Sequence, residues 1–186
     1  MTVNVLLAPR PVELDGQRLG LLESGAGRSS VFLDLLTAKL EKRHFLTAVL
    51  RVGKPDDQPA SSPELLGQVA EQCDVVILGV CSSIQSAQQA AIDAGVLEKL
   101  SVPCAIVLSA DVRSAAEQVL AGHGYDGGQT IVELPRSPQA DQADSQALVE
   151  ASFRDVERVL TISGRAKAPA EPRNTVQRDG EVSCEC

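Results

Sequence analysis

Three stretches of this chain hold residues whose types and spacing could do chemistry. The first is Cys81. It ends the apolar run Asp74-Val-Val-Ile-Leu-Gly-Val-Cys81, and the helix-forming stretch Ser82 to Ala91 follows at once. A thiol where a buried strand gives way to a helix N-terminus is favoured as thiolate, because open amide N–H groups and the helix dipole stabilise negative charge. Cys81 is therefore a candidate nucleophile. Ser82 and Ser83 are candidate catalytic hydroxyls or helix caps, capping being the commoner role, and their amides could hold an oxyanion.

The second stretch is the small-residue loop Ser24, Gly25, Gly27, Arg28, Ser29 and Ser30. Its glycines let a ligand approach the backbone, and Arg28 supplies charge for a phosphate or carboxylate. It is not a full GxGxxG, since Ser30 stands where the third glycine belongs, and it lacks a P-loop lysine. The third stretch is Ser183-Cys184-Glu185-Cys186. Two thiols at this spacing could bind a soft metal, shuttle sulfur or resolve a mixed disulfide, though the spacing is not a standard zinc pattern.

Composition narrows the setting. The chain has 186 residues, with 44% hydrophobic, 23% charged and only 2% aromatic. That fits one globular domain whose core is built from Leu, Val, Ile and Ala. The net charge of -8 and the lack of aromatics argue against a nucleic-acid reader. No apolar stretch approaches a membrane span, and the N-terminus lacks the regions of a signal peptide, so a cytosolic protein is expected. Five cysteines at irregular spacing, without CxxC, do not read as a disulfide framework or a zinc site. No metal or cofactor is expected.

The elements that must position these groups follow in order. An extended lead-in with Pro9 and Pro11 precedes a strand from Arg18 to Ser24. A helix spans Val31 to Arg43, a strand His44 to Val52, and a helix capped by Ser62 runs to Gln72. Asp74 to Val80 is the clearest strand. The next helix runs from Ser82 to Ala94, with Gly95 as its C-cap. Val102 to Ser109 is the fourth strand, Asp111 caps a helix to Ala121, Gln129 to Leu134 is the fifth strand, and a last helix spans Ser145 to Ile162. Residues 1–164 form one α/β domain, and 165–186 read as a flexible tail.

Such alternation predicts an α/β fold: a five-stranded parallel sheet with helices on both faces, a flavodoxin-like or Rossmann-like three-layer sandwich. The preferred strand order is 2-1-3-4-5. Ligands in such sheets bind beyond the C-terminal strand ends where the winding reverses, between strands one and three. The loops at Ser24 to Ser30 and Cys81 to Gln85 flank that crevice. Lys54, Ser109, Asp111 and Arg136 fall near the same edge, with Ser109 and Arg136 as substrate contacts. His44 and His123 fall at the opposite edge, which leaves Cys81 without a Cys/His partner. Cys73 and Cys104 are expected to be buried.

A resemblance joins these pieces. Leu7-Ala-Pro-Arg-Pro11, then Leu14 to Ser24, Glu64-Leu-Leu, Cys73-Asp-Val-Val, the thiol loop and Val102-Pro to Ser109 resemble, in that order, the UGSC family of cysteine- or selenocysteine-containing proteins. The resemblance covers roughly residues 5–135. That family carries a Cys/Sec-Gly-Ser-Cys motif after the third strand, so the resemblance implies thiol or selenol chemistry at the sheet edge and places Cys81 there. The sequence departs from the motif. Gly79-Val-Cys-Ser-Ser-Ile-Gln-Ser86 holds one cysteine, and Gln88-Gln-Ala-Ala replaces the family's aromatic and His-Asp continuation. Either Cys81 works alone, or a second thiol comes from elsewhere, or the activity is lost.

The leading expectation is a cytosolic thiol-dependent enzyme acting through Cys81 on a small anionic substrate. A carrier or partner protein using Cys184 and Cys186 is the second. A non-catalytic subunit of a larger enzyme is the third. A nucleotide- or flavin-binding domain is a further option, and a homo-oligomer is compatible with all of these.

Overall fold

The computed structural model describes residues 6–23, 30–53, 61–126, 129–139 and 141–162. The elements are β1 (Arg18–Glu23), α1 (Ser30–Arg43), β2 (Ala48–Gly53), α2 (Pro63–Gln72), β3 (Val75–Cys81), α3 (Ile84–Lys99), β4 (Cys104–Ser109), α4 (Arg113–Gly122), β5 (Ile131–Leu134) and α5 (Gln142–Leu160). The sheet order is β2-β1-β3-β4-β5, and every pairing is parallel. This is the expected three-layer α/β fold. The predicted tail lies outside the described residues. No helix among the described residues is long and apolar enough to cross a membrane.

β3 and β4 are buried along their whole length, as central strands of a doubly covered sheet must be. One face packs under α2, α3 and α4, through Leu66, Val69, Ala91, Leu97 and Leu120. The other packs under α1 and α5, through Leu33, Leu36, Leu40, Phe153 and Val156. β2, at the edge, stays half exposed.

Several boundaries differ from expectation. β2 starts at Ala48 rather than His44, because Phe45 is spent on a turn: its N–H donates to Asp15 Oδ1 at 2.9 Å and its carbonyl accepts from Gly16 N at 2.7 Å. Gly95 does not end α3, which continues to Lys99. A Cβ at Gly95 would lie 3.2 Å from the ring of His123, so the glycine is there to let α3 and α4 approach. Asp111 does not cap α4; it sits inside a 3-10 turn, Ala110–Val112, that precedes the helix. The Ser62 cap is present, accepting from Leu65 N.

The lead-in is held by a feature the sequence did not announce. Arg10 and Glu98 are 8% and 3% exposed and form a two-pronged ion pair of 2.6 and 2.7 Å. Glu98 also accepts from the amides of Ala8 and Cys104, while Arg10 donates to the carbonyls of Ala8 and Val159. Both carboxylate oxygens of Glu98 and all three guanidinium nitrogens of Arg10 thus have partners inside the protein.

A second pair at the strand starts is more exposed. Arg18 donates to both carboxylate oxygens of Asp74, at 2.8 and 3.0 Å. The guanidinium hydrogen bonds hold the Asp74 carboxyl below the usual range, against a desolvation that pushes it up. A carboxyl with a folded pKa below its unfolded one adds stability above the unfolded value, about pH 4, and loses it as pH falls through the folded value. Asp74→Asn is therefore expected to lose less stability between pH 5 and pH 2 than the parent protein. Denaturant midpoints across that range measure it, and parallel acid limbs would remove the assignment.

Candidate functional site

The crevice predicted between β1 and β3 lies beyond Glu23 and Cys81, where the winding reverses. How Cys81 meets it depends on an irregularity in β3. Val76 and Leu78 face the α2–α4 layer, whereas Val75 and Ile77 face α1 and α5. Simple alternation would put position 80 with the first group and 81 with the second. The register against β4 instead shifts between Gly79 and Cys81, where Gly79 has φ +129° and the Gly79–Val80 peptide is cis. The shift inverts the pattern. Val80 now packs with the α1/α5 layer, and Cys81 turns into the core beneath α3.

The side chain of Cys81 is consequently 0% exposed. It lies in the same apolar cluster as Ala87, Ala91, Leu108 and Val112. The expectation of a thiol at the mouth of the crevice differs from this geometry. What reaches the surface is the next stretch, Ser82, Ser83 and Ile84, all exposed.

Ser83 is the N-cap of α3. Its Oγ accepts from Ser86 N at 3.1 Å, and Ser83 N donates to Ser86 Oγ at 3.1 Å. This reciprocal capping box consumes donors that an oxyanion hole would need. Ser86, rather than Ser82, is the residue that completes it. The usual box has Glu or Gln at this place, so a serine there gave little signal in the sequence. Ile84, three positions after Cys81, is 61% exposed. A second thiol of a Cys-x-x-Cys pair would stand there.

Ser109, a predicted substrate contact, is buried, and its Oγ donates to the Cys81 carbonyl at 3.4 Å. It ties the ends of β3 and β4 together. Arg136 is exposed and ion-paired to Asp144 in the first turn of α5. Asp144 also accepts from Gln139 N at 3.1 Å, so the partner that holds the arginine is itself fixed at the entry to α5. Ser24, Gly25, Gly27, Arg28, Ser29, Lys54, Cys184 and Cys186 lie outside the described residues. At the mouth, Glu23 pairs with Arg51, which also meets Asp34. This ion cluster depends on register between two strands and a helix and was not legible in the sequence.

The remaining thiols and histidines stand away from this edge. Burial pushes the Cys73 and Cys104 thiols up, Cys104 furthest, with the Glu98 carboxylate adding to it. Cys104 Sγ lies 3.3 Å from the Val102 carbonyl and donates to it. His44 bridges Asp15 and Glu157 at the strand-start edge, and His123 packs against Gly95. Neither is placed to deprotonate Cys81. Among the described residues no His, Cys, Asp or Glu cluster could hold a metal ion.

A family model described as the UGSC family matches residues 2–162. A comparison with curated proteins finds no match.

Proposed function

The chain belongs to the UGSC family, and on that premise we propose that it is a binding member of the family, a non-catalytic subunit of a larger enzyme rather than a self-contained thiol catalyst. The observation that carries this reading is Cys81 sealed in the core at 0% exposure. The self-satisfied cap at Ser83 and the apolar, exposed Ile84 support it. A nucleophile needs a thiol that the substrate can reach. The setting we infer is the cytoplasm, because Cys73 and Cys104 are buried thiols rather than disulfide partners.

A second reading is a thiol enzyme in which Cys81 attacks a small anionic substrate. The position of Cys81 at the end of β3, beside the winding reversal and directly before two exposed serines, favours it.

Alkylation separates the two. Under the first reading, iodoacetamide modifies Cys81 in the native protein at least a hundredfold more slowly than in urea, and no faster than Cys73. Peptide-resolved mass spectrometry gives each rate. Rapid labelling of Cys81 alone, persisting down to about pH 6, would establish the thiol enzyme instead.

A further inference from the structure

α1 and α5 lie side by side on one face of the sheet, and the seam between them opens as a groove of about 690 Å³. In a chain of net charge -8, this groove is lined by Lys39, Lys42, Arg43 and Arg154 against a single carboxylate, Glu150. Its floor is apolar, with Phe153 buried at the centre. Lys39 and Arg43 lie over the Phe153 ring, 4.9 and 5.8 Å from its centroid. They are steadied further by ion pairs to Glu150 and Glu157. Lys42 and Arg154 have no ion pair among the described residues. Two cations are thus fixed and two remain open to a visitor.

The occupant can be narrowed by chemistry. The ring face of Phe153 already carries two cations, so it is not open to stack a base. A second copy of this chain, packed by the same surface, would set the cationic cluster against itself. Each wall runs about two helical turns, roughly 12 Å, which suits a helix laid along the seam. Ala38 is exposed on the α1 wall and leaves room for such a close approach.

We propose that the α1/α5 groove docks an acidic amphipathic helix of a partner protein, with carboxylates meeting Lys42 and Arg154. The surface is separate from Cys81, and the inference holds whether or not that thiol reacts.

Photo-crosslinking tests it. Ala38→p-benzoylphenylalanine is expressed in full-length protein in the source cell, irradiated, and its crosslinked peptide sequenced by mass spectrometry. The expected product is an acidic peptide of a different protein. In Lys42→Glu/Arg154→Glu the yield falls tenfold or more while the melting temperature holds, and Lys42→Gln/Arg154→Gln falls part-way. A crosslink to nucleic acid, to this chain or to a second copy overturns the proposal. So does the absence of any crosslink, or a yield unmoved by charge reversal.

Discussion

Glu98→Ala is expected to lower stability by about 3–5 kcal/mol, enough to leave a marginal domain largely unfolded at 37 °C. The size follows from what is left behind. Glu98 accepts from Arg10 twice and from the amides of Ala8 and Cys104. Removing it strands a buried guanidinium and two buried N–H groups, each with its own desolvation penalty. The pair itself is a weaker asset than this loss suggests, because an apolar replacement of both partners removes the stranded charge, although the Ala8 and Cys104 amides still lose their acceptor. Arg10→Met/Glu98→Leu should therefore recover the part of the stability lost by Glu98→Ala that comes from the stranded guanidinium, and not the part that comes from the two amides. Urea unfolding of Arg10→Met, Glu98→Leu and the double variant forms the cycle. A double variant as unstable as the sum of its two single parents would show no coupling between Arg10 and Glu98 and would overturn this account.

Gly79→Ala should be at least as damaging, at about 3 kcal/mol or more, with loss of soluble protein the visible result. Two effects act together. The φ of +129° is one that L side chains rarely adopt, and an added Cβ would meet the Val107 carbonyl oxygen at 2.3 Å. Both atoms belong to the centre of the sheet, so neither can yield without breaking the β3–β4 ladder. Strain and clash fall on the residue where the register shifts, so the same change disturbs the turn that buries Cys81. If Gly79→Ala were well folded, with an unchanged midpoint in urea, the account of the β3 irregularity given above would fail.

The fold was legible because β3 and β4 are continuous apolar runs between helical patterns, and because Ser62-Pro63 announces α2. The site was read less well, and β3 shows why. Alternation along a strand can be read from residue types, but the glycine that resets it looks like any other glycine until its neighbour in β4 is known. The helix-terminus argument for Cys81 assumed that adjacency in sequence meant access from solvent. One shift of register separated the two. The Arg136–Asp144 pair was hidden for a related reason, since Asp144 sits eight positions away and only the start of α5 brings it close. The Arg10–Glu98 clasp spans 88 positions and leaves no periodic trace.

Ile162 N donates to the Pro11 carbonyl at 3.0 Å, so the end of α5 is tied to the lead-in. They meet at the pole where the strands begin, across the sheet from the crevice. A segment attached at Ile162 would therefore leave the fold from that pole. The architecture can thus acquire attachments by gene fusion without any change to the strands that shape its recognition edge.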